Sequence, residues 1–232
     1  QVAGDEPYDS ELIVNGTLNV AGSEVNPVVF TSSNREPLTG DWGGIRINNN
    51  GASFDYATIE FSAYGVGYNQ NHHYLNQTLA ISNSTIQNNG NYGVVVTGCC
   101  SGGVISLSNS QIINNNGTGI YSSSYNTDWT ITGNVISGNQ GGGVSINDSR
   151  NIVMTDNVIK ENLGIQIELN STQDNFTFNG NSVSGFNRQL YFNGNPSNIS
   201  VTDNNFVTVS TNDDAVYIRS SSAADAVVVT GN

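Results

Sequence analysis

Tyrosine and histidine gather in one part of this chain in a pattern that could handle either a proton or a sugar. Tyr68, His72, His73 and Tyr74 lie close together, and Tyr92, Tyr121 and Tyr125 follow. Histidine titrates near neutrality and tyrosine carries a weakly acidic phenol, so the first four residues have the right types to take a proton from one atom and return it to another. The same set suits uncharged sugars. A tyrosine ring offers a flat apolar face with a hydroxyl at its edge, and the many neighbouring asparagines both donate and accept.

The surroundings favour the second use. Between Phe61 and Thr127 there is no Asp, Glu, Lys or Arg, although charged residues make up 11% of the chain. Seven of the ten tyrosines and both histidines lie in or just before this neutral stretch. Hydrolysis of a glycosidic bond generally needs two carboxyl groups across the bond, and none is on hand here. A metal-free lyase using Tyr68, His72, His73 and Tyr74 would still want a cation to neutralise a substrate carboxylate. The sequence therefore favours carbohydrate contact without catalysis at Tyr68, His72, His73, Tyr74, Tyr92, Tyr121 and Tyr125, with a polysaccharide lyase as the alternative. No cofactor is implied. Asp213 and Asp214 are weak calcium candidates that lack further ligands in sequence. Cys99 and Cys100 are neighbours, too few and too close for a disulfide framework, and read as small corner residues or a vicinal disulfide.

What positions these residues is a repeat. Residues 134–144, Asn-Val-Ile-Ser-Gly-Asn-Gln-Gly-Gly-Gly-Val, have degenerate copies on both sides, with Ile-x-x-Asn at Ile86/Asn89, Ile112/Asn115, Ile136/Asn139 and Ile159/Asn162. The isoleucines recur at intervals of 26, 24 and 23 residues. A Gly followed by a β-branched residue closes each unit at Gly44-Ile45, Gly65-Val66, Gly93-Val94, Gly119-Ile120, Gly143-Val144 and Gly164-Ile165. An apolar run into Asn forms a third register ending at Asn134, Asn157, Asn181, Asn204 and Asn232. A fixed period of this length marks a solenoid, whose units bury their apolar faces only by stacking. Short Ile/Val/Thr runs between Gly/Asn/Ser corners, with no helical stripe, make each unit two or three strands. The leucine consensus of leucine-rich repeats is missing.

The expected fold is all-β, a single-stranded parallel β-helix of about eight to nine coils. Ile86, Val94, Ile112, Ile120, Ile136, Val144, Ile159 and Ile165 should point inward, and corner asparagines should stack into ladders. Long corners at residues 68–76, 97–103 and 122–128 would project from one side. Trp42, between glycines, reads as a packing residue. Later copies decay, with Phe186 in place of a ladder Asn and Gln189-Leu190 in place of Gly-Ile.

The Asn-x-Ile-x-x-Asn repeat with its following Gly-Ile/Val resembles the right-handed parallel β-helix repeat of the pectate-lyase-like superfamily. Leu12-Ile-Val-Asn-Gly-Thr-Leu-Asn-Val-Ala-Gly-Ser, Pro27-Val-Val-Phe-Thr-Ser and Gly40-Asp-Trp-Gly-Gly-Ile45 resemble the first coils of large secreted surface proteins of that superfamily. The resemblance implies a right-handed coil, in accord with the handedness rule for parallel crossovers. It implies function only coarsely, because the superfamily holds lyases, hydrolases, phage spikes and catalytically silent surface proteins. The clustered Asp pairs with Gly-His-Gly of its polygalacturonase-like members are absent. So is an acidic cluster beside a basic residue, as in its calcium-dependent lyases.

Six basic against 19 acidic residues give a formal charge of −13, which repels a nucleic-acid backbone. No apolar run is long enough for a membrane span. Gln1 could follow a cleaved leader, so the expected setting is secreted, extracellular or cell-surface. Acidic residues 1–11 should form a lead-in that partly caps the first coil. Residues 12–232 should form the β-helix and continue beyond 232 in the natural chain, or else meet another molecule end to end. The function expected is an extracellular adhesin-type protein that contacts a polysaccharide. A filament or phage-spike segment is a second alternative.

Overall fold

The computed structural model describes residues 11–48, 51–70, 78–98, 102–170, 174–194, 197–209, 214–219 and 225–232. They form 26 strands in three parallel sheets of nine, nine and eight. Each of the first eight coils contributes one strand to each sheet. The first coil runs Leu12–Val14, Thr17–Ala21 and Val28–Phe30, and the ninth supplies Val216–Arg219 and Asp225–Thr230. This is the expected parallel β-helix. Among the described residues no helix is long and apolar enough to cross a membrane.

The interior follows from strand alternation, which turns every second side chain inward. In the third sheet Ile59, Ile86, Ile112, Ile136 and Ile159 stack in exact register, each fully buried. In the first sheet Ile45, Val66, Val94, Ile120, Val144, Ile167 and Leu190 do the same. Burying each such side chain stabilises the fold by about 1.5–3 kcal/mol. Trp42 packs against this core and donates its indole N–H to the Glu60 carbonyl at 2.9 Å.

One inward assignment is corrected. Ile165 does not occupy the place of Val144; Ile167 does, and Ile165 lies at the outer surface. The residue before that strand is Gln166, fully buried where earlier coils have Gly. Its side-chain oxygen accepts from Asn162 Nδ2 at 2.8 Å. The Gly164-Ile165 pair therefore copies the motif two residues out of phase.

The corners carry two ladders. Asn89, Asn115, Asn139 and Asn162 pass amide hydrogen bonds down one, at 2.8, 2.9 and 2.9 Å, and Gln166 receives the last. Asn134, Asn157, Asn181, Asn204 and Asn232 form the other at 3.1, 2.8, 3.0 and 2.9 Å. These side chains replace the backbone pairing that a strand loses on bending. The first ladder stops because Phe186 stands where the next Asn would be and turns outward, 63% exposed.

Candidate functional site

Two outward rows cross the first sheet. One takes the residue after each inward Val or Ile and runs Arg46, Gly67, Val95, Tyr121, Ser145, Glu168, Tyr191 and Tyr217. The other takes the residue two before it, including Tyr64 and Tyr92. Five of the chain's ten tyrosines thus lie on one face. Tyr92 and Tyr121 stack at 4.8 Å between centroids and 14° between planes, and Tyr64 joins Tyr92 at 6.2 Å and 32°. Burial, with smaller effects from Tyr121 and Tyr64, raises the Tyr92 phenol above its usual value, so it remains a neutral donor.

This ridge of three rings has a recess on each side. One, about 330 Å³, includes Gly43, Arg46, Gly67, Val95 and the ion pair Arg46 Nη2–Glu11 Oε2 at 2.9 Å. The other, about 410 Å³, runs from Tyr92 and Tyr121 across Gly141, Gly142 and Ser145 to Ile165 and Glu168. Both exist because the outward row is short there, with Gly67 in one coil and Ser145 in the other.

The glycine floor is imposed by coil stacking. A Cβ on Gly142 would lie 2.5 Å from the Ile165 carbonyl oxygen. One on Gly143 would lie 2.5 Å from the Gln166 carbonyl oxygen and 2.9 Å from Asn162 Nδ2. The backbone needs glycine there, and the recess follows from that need. Beyond Glu168, Arg188 lies 5.0 Å from the Tyr191 centroid and 4.3 Å from that of Tyr217, with its Nε 3.6 Å from Asp214 Oδ2.

The expected site residues separate into three groups. Tyr92 and Tyr121 are brought together on the outer face. Tyr125 is 49% exposed in the corner after Ile120–Ser122, away from the ridge. Tyr68 is a correction: it pairs with Val96 in an inward row and is 1% exposed, so it backs the inner wall of the first recess and is not an exposed ring for a sugar. Among the described residues its hydroxyl has no hydrogen-bond partner, and burial pushes the phenol up to about 12, which also removes it as an accessible base. His72, His73, Tyr74, Asp213, Cys99 and Cys100 lie outside the described residues. Asp214 is engaged with Arg188, and among the described residues no group of three His, Cys, Asp or Glu could hold a metal ion.

Tyr64, Ser145, Glu168 and the Gly141–Gly143 floor were not expected at the site. Ser145 had a signal in the repeat, since the residue after each inward Val or Ile must face outward, whereas Glu168 follows Gln166-Ile167 and no Gly-Val/Ile step marks it.

A parallel β-solenoid with an aromatic ridge between two open recesses is the class of protein that fold and surface define. Residues 43–206 match the family model described as the right handed beta helix region, and the chain belongs to that family. The coil is right-handed, as expected. No curated protein and no solved structure matches the chain.

Proposed function

We propose that this β-helix is a non-catalytic, extracellular surface module of the adhesin type that holds a glycan along the outer face of its first sheet. The observation that carries this reading is the Tyr64–Tyr92–Tyr121 ridge standing between two recesses. Rings stacked along the coil axis present their apolar edges and hydroxyls outward in a row, which gives a sugar an apolar support, and the hydroxyl and amide groups around them can satisfy sugar hydroxyls. Successive coils are about 4.8 Å apart, so a linear glycan laid along the helix axis would meet similar rungs repeatedly.

The lyase alternative loses support with Tyr68 buried in the core. A glycan array probed with the whole chain tests the proposal. Binders are expected, and they should be lost on Tyr92→Ala or Tyr121→Ala. An array without binders, or binders that survive both changes, would overturn it. Unsaturated sugar products accumulating in the reaction would move the protein to the lyase class.

A further inference from the structure

The ridge is neutral, but the recess beyond it is not. Tyr121, Ser145 and Glu168 are consecutive members of one outward row. Two coil steps therefore separate the ring from the carboxylate, about 10 Å along the helix axis. Between them Gly141, Gly142 and Ser145 leave the floor open, and the volume of about 410 Å³ suits a small ligand. Among the described residues that line this space, Glu168 is the only charged one. It is half-buried, and its carboxylate takes part in none of the ion pairs or side-chain hydrogen bonds seen among the described residues. The nearest basic side chain along the face is Arg188, which is turned over Tyr191 and Tyr217 and paired with Asp214.

A ring wall opposite an unpaired carboxylate is an arrangement that selects a cation. The carboxylate forms a charge-assisted hydrogen bond to an ammonium, and the face of Tyr121 turned to the recess supports the apolar face of the sugar ring that carries it. The same carboxylate, on a chain of charge −13, repels an acidic sugar. Resting on the glycan-binding reading above, we infer that this recess takes an amino sugar with a free, protonated amine: the pyranose ring against Tyr121 and the ammonium on Glu168. Uronates are disfavoured there. The glycine floor is needed for coil stacking whatever the ligand, so Glu168 is the residue whose chemistry the inference depends on.

The test is calorimetric titration of the whole chain with three oligosaccharides of equal length: β-linked glucosamine, its fully N-acetylated form and a galacturonate. The glucosamine oligomer should bind about tenfold more tightly than the acetylated one. Glu168→Gln should erase that difference and leave the acetylated ligand unchanged, whereas Glu24→Gln, an exposed carboxylate elsewhere, should alter neither. Near-ultraviolet circular dichroism confirms that the variants are folded. If the acetylated ligand binds through Tyr121 but the amine gives no advantage, the advantage survives Glu168→Gln, or the galacturonate binds best, the amino-sugar inference falls and the glycan-binding reading stands. If none of the three binds, the amino-sugar inference falls, and the glycan array alone decides the glycan-binding reading.

Discussion

Replacing Asn139 by Ala removes one rung from the middle of a fully buried ladder, and its cost follows from the groups left behind. The Asn139 side-chain oxygen accepts from the Asn115 backbone N–H at 3.1 Å and from Asn115 Nδ2 at 2.9 Å. Its Nδ2 donates to the Ile112 carbonyl at 3.1 Å and to Asn162 Oδ1 at 2.9 Å. Truncation strands the Asn115 N–H completely. Asn115 Nδ2 keeps only the Ile86 carbonyl, at 3.3 Å, and the Ile112 oxygen loses its side-chain donor. Each orphaned buried group costs roughly 1–3 kcal/mol, so the substitution should cost about 3–5 kcal/mol, a large share of a typical domain stability. Urea unfolding followed by circular dichroism measures it. Asn175→Ala serves as a control. Asn175 Nδ2 donates to Asn151 at 2.7 Å, but in an exposed position, and its loss should cost no more than about 0.5 kcal/mol. An Asn139→Ala protein within about 1 kcal/mol of the parent would refute the view that the ladders carry the corners.

Gly143→Ala should destabilise by about 1–3 kcal/mol in the same assay, because the added methyl meets the Gln166 carbonyl at 2.5 Å and rigid stacking cannot yield freely. Gln166 and Gln189 occupy equivalent buried positions one coil apart, but Gln166 bonds to Asn162 while both side-chain polar atoms of Gln189 lack partners among the described residues. Gln166→Leu should therefore lower the thermal midpoint and Gln189→Leu should leave it unchanged or raise it. For Tyr68, the folded phenol is raised to about 12 from the ordinary 10.0. Above pH 10 the unfolded chain loses this proton first, so its contribution to stability is present below pH 10 and is lost as pH rises towards 12. Tyr68→Phe should flatten that part of an alkaline stability profile and cost almost nothing at pH 7.

The fold was legible because a solenoid writes the same physical requirement many times. Ile112, Ile136 and Ile159 could be assigned inward from spacing alone, and Asn115, Asn139 and Asn162 could be placed in a ladder by their constant offset. Legibility failed where the repeat changed its means. At Gln166 a longer amide reaches back to Asn162 and takes the place of a glycine, so the visible Gly164-Ile165 pair misled by two residues. Tyr68 and Tyr121 look alike in composition, yet strand alternation sends one into the core and the other to the surface. Glu168 was invisible as a site residue because it lies 47 positions beyond Tyr121 in sequence and only two coil steps away in space.

The central claim is that a glycan lies against the ridge on the outer face of the first sheet. It is tested most directly by calorimetry with an array-selected oligosaccharide on two variants, Tyr121→Ala and Tyr125→Ala. Both residues are tyrosines of the same neutral stretch, but only Tyr121 stands in the ridge. Tyr121→Ala should weaken binding by about five- to thirtyfold, from the loss of about 1–2 kcal/mol of ring contact, with Tyr125→Ala indistinguishable from the parent. Equal affinities for all three proteins, or a loss confined to Tyr125→Ala, would contradict it.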